Sequence, residues 1–354
     1  MSHSDQLPLS SQRCPDSNER DASSVSRRRF LQSAGAVAVA AGTMPSLALA
    51  KSKVKTPESV VPLLYKSMNE KQRKVVCFDW DHQSKDRGLL RTHVSNNWHI
   101  TKPVIGSDFF TKDQQKMIRH IFEGIFDPSW HDKIDTQLED DAGGYGEAQN
   151  IAIFGTPGEG KFEFVMTGRH MTIRCDNNSI DHMAFGGPIF YGHAAKGFNE
   201  KKDHPGNVFW PQAQAANSVF AMLDGKQRQA ATVAKTPREK NVGFRGPKGD
   251  FPGIRIADLS ADQKEQVQKT LAMLVEPYRK ADQNEALACL KKQGGLDKCS
   301  LAFYTDKDIG GDGVWDNWRL EGPSFVWYFR GAPHVHVWVN IADDASVKTN
   351  SKEL

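Results

Sequence analysis

Toward its C-terminal end the chain reads Pro333-His334-Val335-His336-Val337-Trp338-Val339-Asn340-Ile341. Successive side chains of a strand point to opposite faces. Val335, Val337, Val339 and Ile341 therefore share one apolar face, and His334, His336 and Trp338 share the other. Two imidazoles at this spacing lie about 7 Å apart at Cα, close enough to share one ion. Imidazole nitrogen suits zinc or copper, so the cofactor expected here is a divalent metal, zinc or copper. The aliphatic face is expected to be the core side, leaving the histidine face to look into a cleft or solvent.

A third ligand must come from elsewhere. Eleven of the twelve histidines lie beyond residue 50, and three fall near a glycine-rich middle stretch. His170 opens a strand after Gly168-Arg169, His193 closes Phe185-Gly-Gly-Pro-Ile-Phe-Tyr-Gly-His193, and His204 follows in Asp203-His204-Pro205. A third ligand from His170 or His193, with Glu200 or Asp203 as ligand or general base, would complete a site. Such an ion lowers the pKa of a coordinated water and yields a nucleophile at neutral pH, which points to a metal-dependent hydrolase. Oxygen chemistry at copper or iron is the same site read differently. The competing expectation is that His170 and His193 merely bond loop backbone. The protein would then be a non-catalytic periplasmic binder that grips a small molecule or carbohydrate on its aromatic face. Asp79-Trp80-Asp81-His82 reads equally as acid/base chemistry or as a turn. The chain has no GxSxG elbow, Walker loop, dinucleotide fingerprint or HExxH.

The elements that must hold these residues follow from local patterns. Four segments place a capping residue three positions before Gln: Asn69 and Gln72, Thr111 and Gln114, Asp224 and Gln227, Ser260 and Gln263. Each is a capping box, and helix-spaced apolar residues follow, such as Ile118, Ile121, Phe122 and Ile125. The unequal gaps between them exclude a solenoid; a distant duplication is conceivable, but four ordinary helix starts account for the recurrence as well. Strands are predicted over 151–154 and 162–166 around a Pro157-Gly158 turn, over 170–175, and over 300–304, 315–320, 324–330 and 334–341. Residues 185–210 and 235–255 read as long loops, and 213–223 as a helix. Helices grouped around antiparallel strands, with no βαβ alternation, give an α+β fold: sheet meanders with capped helices packed around them.

Composition narrows the class. The chain has 354 residues, 46 Lys plus Arg against 43 Asp plus Glu, 38% hydrophobic and 25% charged residues. That is a globular balance with no polybasic stripe, so no nucleic-acid partner is expected. No apolar run is long enough for a transmembrane span. Residues 26–32 read Ser-Arg-Arg-Arg-Phe-Leu-Gln and are followed by a weakly apolar stretch and Ala48-Leu49-Ala50. This resembles a twin-arginine signal with its cleavage site. It implies the twin-arginine translocase as a partner, a periplasmic or extracellular location, and a small-molecule substrate or ligand there. Residues 1–50 are then leader, 51–343 a single α+β domain of one lobe or two, and 344–354 a polar tail. Cys77, Cys175, Cys289 and Cys299 remain after the leader, with Cys289 and Cys299 placed to close a small loop or to stay as two thiols.

Three blocks carry a resemblance to a family. Gly168-Arg169-His170-Met171-Thr172-Ile173, Phe185-Gly186-Gly187-Pro188, and the stretch from Glu321-Gly322-Pro323 to Pro333-His334-Val335-His336 resemble the bacterial and fungal proteins grouped as "domain of unknown function thirty-five hundred". The resemblance spans about residues 60–342. It implies one α+β unit with the histidine blocks as the shared site, and brings no activity with it.

Overall fold

All four capping boxes form. In each, the cap side chain accepts from the Gln backbone N–H while the Gln side chain accepts from the cap N–H. The computed structural model describes residues 56–178, 182–194, 204–308 and 314–352. Among the described residues are eight helices: α1 Pro57–Ser67, α2 Glu70–Val76, α3 Lys112–Ile125, α4 His131–Ala142, α5 Trp210–Ala221, α6 Gly225–Ala231, α7 Ala261–Val275 and α8 Lys280–Lys292. The residues of the large sheet are β1 Cys77–Phe78, β2 Asn150–Gly155, β3 Phe162–Gly168, β4 Met171–Asp176, β5 Ile189–His193, β6 Thr232–Val233, β7 Ile254–Arg255, β8 Ser300–Tyr304, β9 Asn317–Gly322, β10 Phe325–Arg330 and β11 Val335–Ile341. The fold is α+β, and the sheet is antiparallel except for β1 beside β2 and β6 beside β8.

Strand order is β1-β2-β3-β4-β5-β11-β10-β9-β8-β7, with β6 also on β8. Inward from β2 and from β8 this order reads the same, with β1 and β6 as the matching parallel edge strands, because the chain repeats one plan twice. Each half runs through a Pro-started helix, a short capped helix, an edge strand parallel to the first meander strand, a long excursion, two helices and a four-stranded meander. The helices match in length: 11 and 12 residues for α1 and α5, 7 and 7 for α2 and α6, 14 and 15 for α3 and α7, 12 and 13 for α4 and α8. Sequence echoes survive in Lys71-Gln72-Arg73 and Lys226-Gln227-Arg228, and in Asp127-Pro128 and Glu276-Pro277. The halves meet where β5 pairs antiparallel with β11, with Tyr191 opposite Val337. The expectation that ordinary helix starts suffice is therefore corrected in favour of the alternative, a duplication: the four starts are two pairs, one per repeat.

Both faces of the sheet are buried, which corrects a second expectation. On one face the helices pack against Ile151, Phe164, Ile173, Tyr191, Trp327, Val337 and Val339. The histidine face is covered as well, by chain rather than by solvent. Leu90, Trp98 and Ile100 cover Ala152, Phe154 and Val165 in the first repeat. In the second, Val242 and Phe244 cover Tyr304, Val326, Tyr328 and Trp338. The stretch read as an exposed loop at 235–255 is thus the lid of that core. Tyr328 donates to the Pro237 carbonyl, and Asn340 to the Val242 carbonyl. A buried arginine ties each cover down: Arg174 donates to the carbonyls of Arg91 and His93, and Arg319 to that of Asn241. The long loop expected at 185–210 contains the central strand β5 and the start of α5.

Residues Val54–Leu354 form one compact unit. Near its end Asn350–Ser351 pairs in parallel with His93–Val94, which fastens the polar tail to the first repeat. The four cysteines described are free thiols, Cys289 and Cys299 included, so the two are not paired here. Burial pushes both thiols up to about 12. Asp79-Trp80-Asp81-His82 forms a turn, in which the His82 N–H donates to the Asp79 carbonyl. No helix among the described residues is long and apolar enough to cross a membrane.

Candidate metal centre

Gly168 pairs with Met171, so Arg169 and His170 are the two residues that turn β3 into β4. His170 takes a φ of +49°, a left-handed conformation that is uncommon for a residue with a side chain. The equivalent turn of the second repeat, between paired Gly322 and Phe325, is Pro323-Ser324. The same hairpin thus folds without a histidine, and the fold itself does not call for His170.

His336 sits on β11 opposite Gly192 of β5, with His334 just before the strand. Gly192 lets these elements close up. A Cβ there would lie 2.2 Å from the Val335 carbonyl oxygen and 3.4 Å from the His170 Cβ. The three rings of His170, His334 and His336 converge, with centroids 4.6 to 5.1 Å apart. One ring nitrogen from each lies within 4.8 Å of the others, and all three residues are buried.

Carboxylates orient two of the three rings. His170 Nδ1 donates to Asp141 Oδ2 at 2.7 Å, and His336 Nδ1 donates to Glu239 Oε2 at 2.7 Å. A carboxylate only accepts, so each ring carries its proton on Nδ1 and presents the Nε2 lone pair inward. A carboxylate behind an imidazole is the arrangement that fixes tautomer and raises basicity in metal-binding histidines. His334 Nε2 stands 2.8 Å from His336 Nε2 and supplies the proton between them. Two nitrogens on one tetrahedral zinc lie about 3.3 Å apart, so loading requires only a small separation and a shift of the His334 proton to Nδ1.

Both carboxylates are themselves well held. Asp141 accepts from Arg169 Nε at 3.0 Å and from the Ala194 N–H at 3.1 Å. Burial acts to raise its pKa, but the His170 hydrogen bond, the Arg169 charge and that amide outweigh it and hold the carboxyl below its usual range. Glu239 takes Arg330 Nη1 at 2.7 Å and Trp338 Nε1 at 3.0 Å besides His336. Burial, then the Arg330 charge, holds His336 well below the usual imidazole range, so it stays neutral and able to ligate.

A second group forms nearby. His193 pairs with Val335 rather than His336, so its side chain lies on the helix face. There it meets Asp140 at 2.6 Å and neighbours His204, with ring centroids 5.5 Å apart. Of the expected ligands, then, His170, His334 and His336 come together while His193 joins Asp140 and His204. Glu200 and Asp203 lie outside the described residues. Either group has the donors to hold a metal ion. A cavity of about 10 Å³, room for one water, reaches His170 past Ile134, Gln137, Tyr191 and Tyr278.

The carboxylates were the residues that pattern reading overlooked. Asp141 had a signal: Glu139-Asp140-Asp141 ends α4, where acids oppose the helix dipole and need a cationic or donor partner to be stable. Glu239 lies in a segment without period, and nothing local marks it.

No curated protein and no solved structure matches this chain. One family model does, over residues 51–339, which covers all but the last two residues of β11 and all five histidines of the two groups. The chain belongs to the family described as "Protein of unknown function (DUF3500)".

Proposed function

We propose that this protein is an exported metalloenzyme in which His170, His334 and His336 hold one zinc or copper ion that activates water for hydrolysis of a small-molecule substrate. The observation that carries this reading is the pairing of three converging imidazoles with two buried carboxylates behind them. Three protein nitrogens leave a fourth position open on a tetrahedral ion. A water bound there loses its proton near neutral pH. Supporting the functional rather than the structural role, the second repeat builds the same turn with Pro323-Ser324. Export rests on the arginine-led segment at residues 26–32, which lies outside the described residues.

The test is elemental analysis of the full chain purified after export, beside His336→Ala. About one equivalent of zinc or copper that this substitution removes, together with hydrolysis of a panel of esters, amides and phosphoesters by the wild type alone, is the expected result. Folded, metal-free wild-type protein that stays metal-free when offered Zn²⁺ and Cu²⁺ would overturn it and leave a non-catalytic binding protein.

A further inference from the structure

We infer that Asp140, His193 and His204 form a second, solvent-facing cation site, distinct in ligands from the three-histidine centre. The donors come from three places in the fold: the last turn of α4, the end of β5 and the segment leading into α5. Their ligand atoms all lie within 4.8 Å of one another. His193 is fully buried, whereas the Asp140 and His204 side chains are 31% and 28% exposed. One side of the group is therefore anchored in the core and the other open for ligand exchange.

Three details favour a cation over a plain hydrogen-bonded cluster. First, two imidazole nitrogens, His193 Nε2 and His204 Nδ1, face one carboxylate oxygen, Asp140 Oδ2, at 2.6 and 3.6 Å. Second, Gly206 leaves the space. A Cβ on it would fall 2.6 Å from Asp140 Oδ2 and 2.7 Å from His193 Nε2. Third, Asp140 sits in the acidic C-terminal turn of α4, at the negative end of the helix dipole, which favours a cation. Two imidazoles and one carboxylate suit a divalent transition ion such as zinc, with the remaining positions left to water or a ligand.

Asp140 and Asp141 are consecutive, so one helix turn serves both sites: Asp141 orients His170, and Asp140 ligates directly. The second site stands whether or not the three-histidine centre is catalytic, and the experiment keeps them apart. The demetallated full chain is dialysed against buffered Zn²⁺ and bound zinc is counted in wild type, His336→Ala, His204→Ala, Asp140→Asn and Gly206→Ala, with circular dichroism on each. The expected result is close to two ions in wild type and close to one in every variant. In His204→Ala and Gly206→Ala, zinc affinity at the second site falls by about tenfold or more while the fold is kept. Gly206→Ala removes no ligand and only fills the space. One ion in wild type that His336→Ala alone removes would overturn the second site and leave the first. One ion that Asp140→Asn and His204→Ala remove but His336→Ala keeps would uphold the second site and sink the first. No zinc in any chain would sink both.

Discussion

Gln72 and Gln114 exchange side-chain hydrogen bonds, Nε2 of each donating to Oε1 of the other at 2.8 and 3.2 Å. Each glutamine also closes the capping box of its own helix, so one buried contact locks two helix starts 42 residues apart. Gln227 and Gln263 repeat the contact in the second half at 3.0 and 2.8 Å. The repetition of so particular an arrangement is the clearest sign that the two halves share one plan.

The Gln pairs predict matched stability effects. Gln72→Ala breaks the box, leaves the Phe109 carbonyl without its amide donor and reduces Gln114 to the Ser67 carbonyl and the Thr111 N–H, an expected cost of about 1–3 kcal/mol. Gln227→Ala should cost less, because its pair is only half-buried. Urea unfolding of the single and double variants checks this. Coupling energies of about 0.5–3 kcal/mol are expected within each pair and about zero between pairs. Additive behaviour within a pair would show that the contact is incidental.

Substitution at His170 separates fold from chemistry. The turn needs a left-handed residue there, a conformation that Gly and Asn adopt readily. His170→Gly and His170→Asn are therefore expected to keep the turn, at a cost of about 1–3 kcal/mol for the hydrogen bond that Asp141 loses, while losing a ligand of the metal centre. Thermal melts with metal titration decide the matter. Loss of metal with the fold intact is the expected result, and unchanged metal affinity would remove His170 from the site.

Much of the fold was legible because it rests on local signals. The four capping boxes, the Pro157-Gly158 turn and the final meander all announce themselves within a few residues. The pair of faces was not. On β11 the alternation of Val and His suggested one wet face, yet every residue from Val335 to Ile341 is buried, because Glu239 and Val242 fold over the histidine side. No periodicity marks that cover, and its stability comes from long-range bonds such as Arg319 to the Asn241 carbonyl. The metal centre divides the same way. His334 and His336 share a strand and could be read together, and His170 was one of two candidates for their partner. Choosing between His170 and His193 needed the β5–β11 register, which sets His193 opposite Val335.

Glu239 is expected to act through His336 rather than on a metal directly. Glu239→Gln keeps the size and can still accept from His336 Nδ1, but removes the charge that also pairs with Arg330. Metal affinity should fall about 10- to 100-fold, with metal stoichiometry regained at higher concentration. Competition against a chromophoric chelator measures this. Asp141→Asn should behave alike through His170, and equal affinity in either variant would show that the carboxylates only fasten the cover and the helix end.

His93 gives the protein a pH dependence of defined sign. It is buried against the edge of Trp98, with ring centroids 4.6 Å apart. Burial, with the charges of Arg87, Arg174 and Lys352 added, lowers its pKa from 6.5 to about 4. Between these values the unfolded chain binds the proton and the folded chain does not, so stability rises with pH across this window. The contribution is complete above about pH 6.5 and is lost as pH falls toward 4, at most about 3 kcal/mol over the span. Urea midpoints at pH 7 and pH 4.5 should therefore lie closer together in His93→Gln than in wild type, since the amide keeps a polar side chain but does not titrate. Equal pH dependence in the two proteins would mean that His93 takes up its proton without disturbing the contact between the tail strand and the cover of the first repeat.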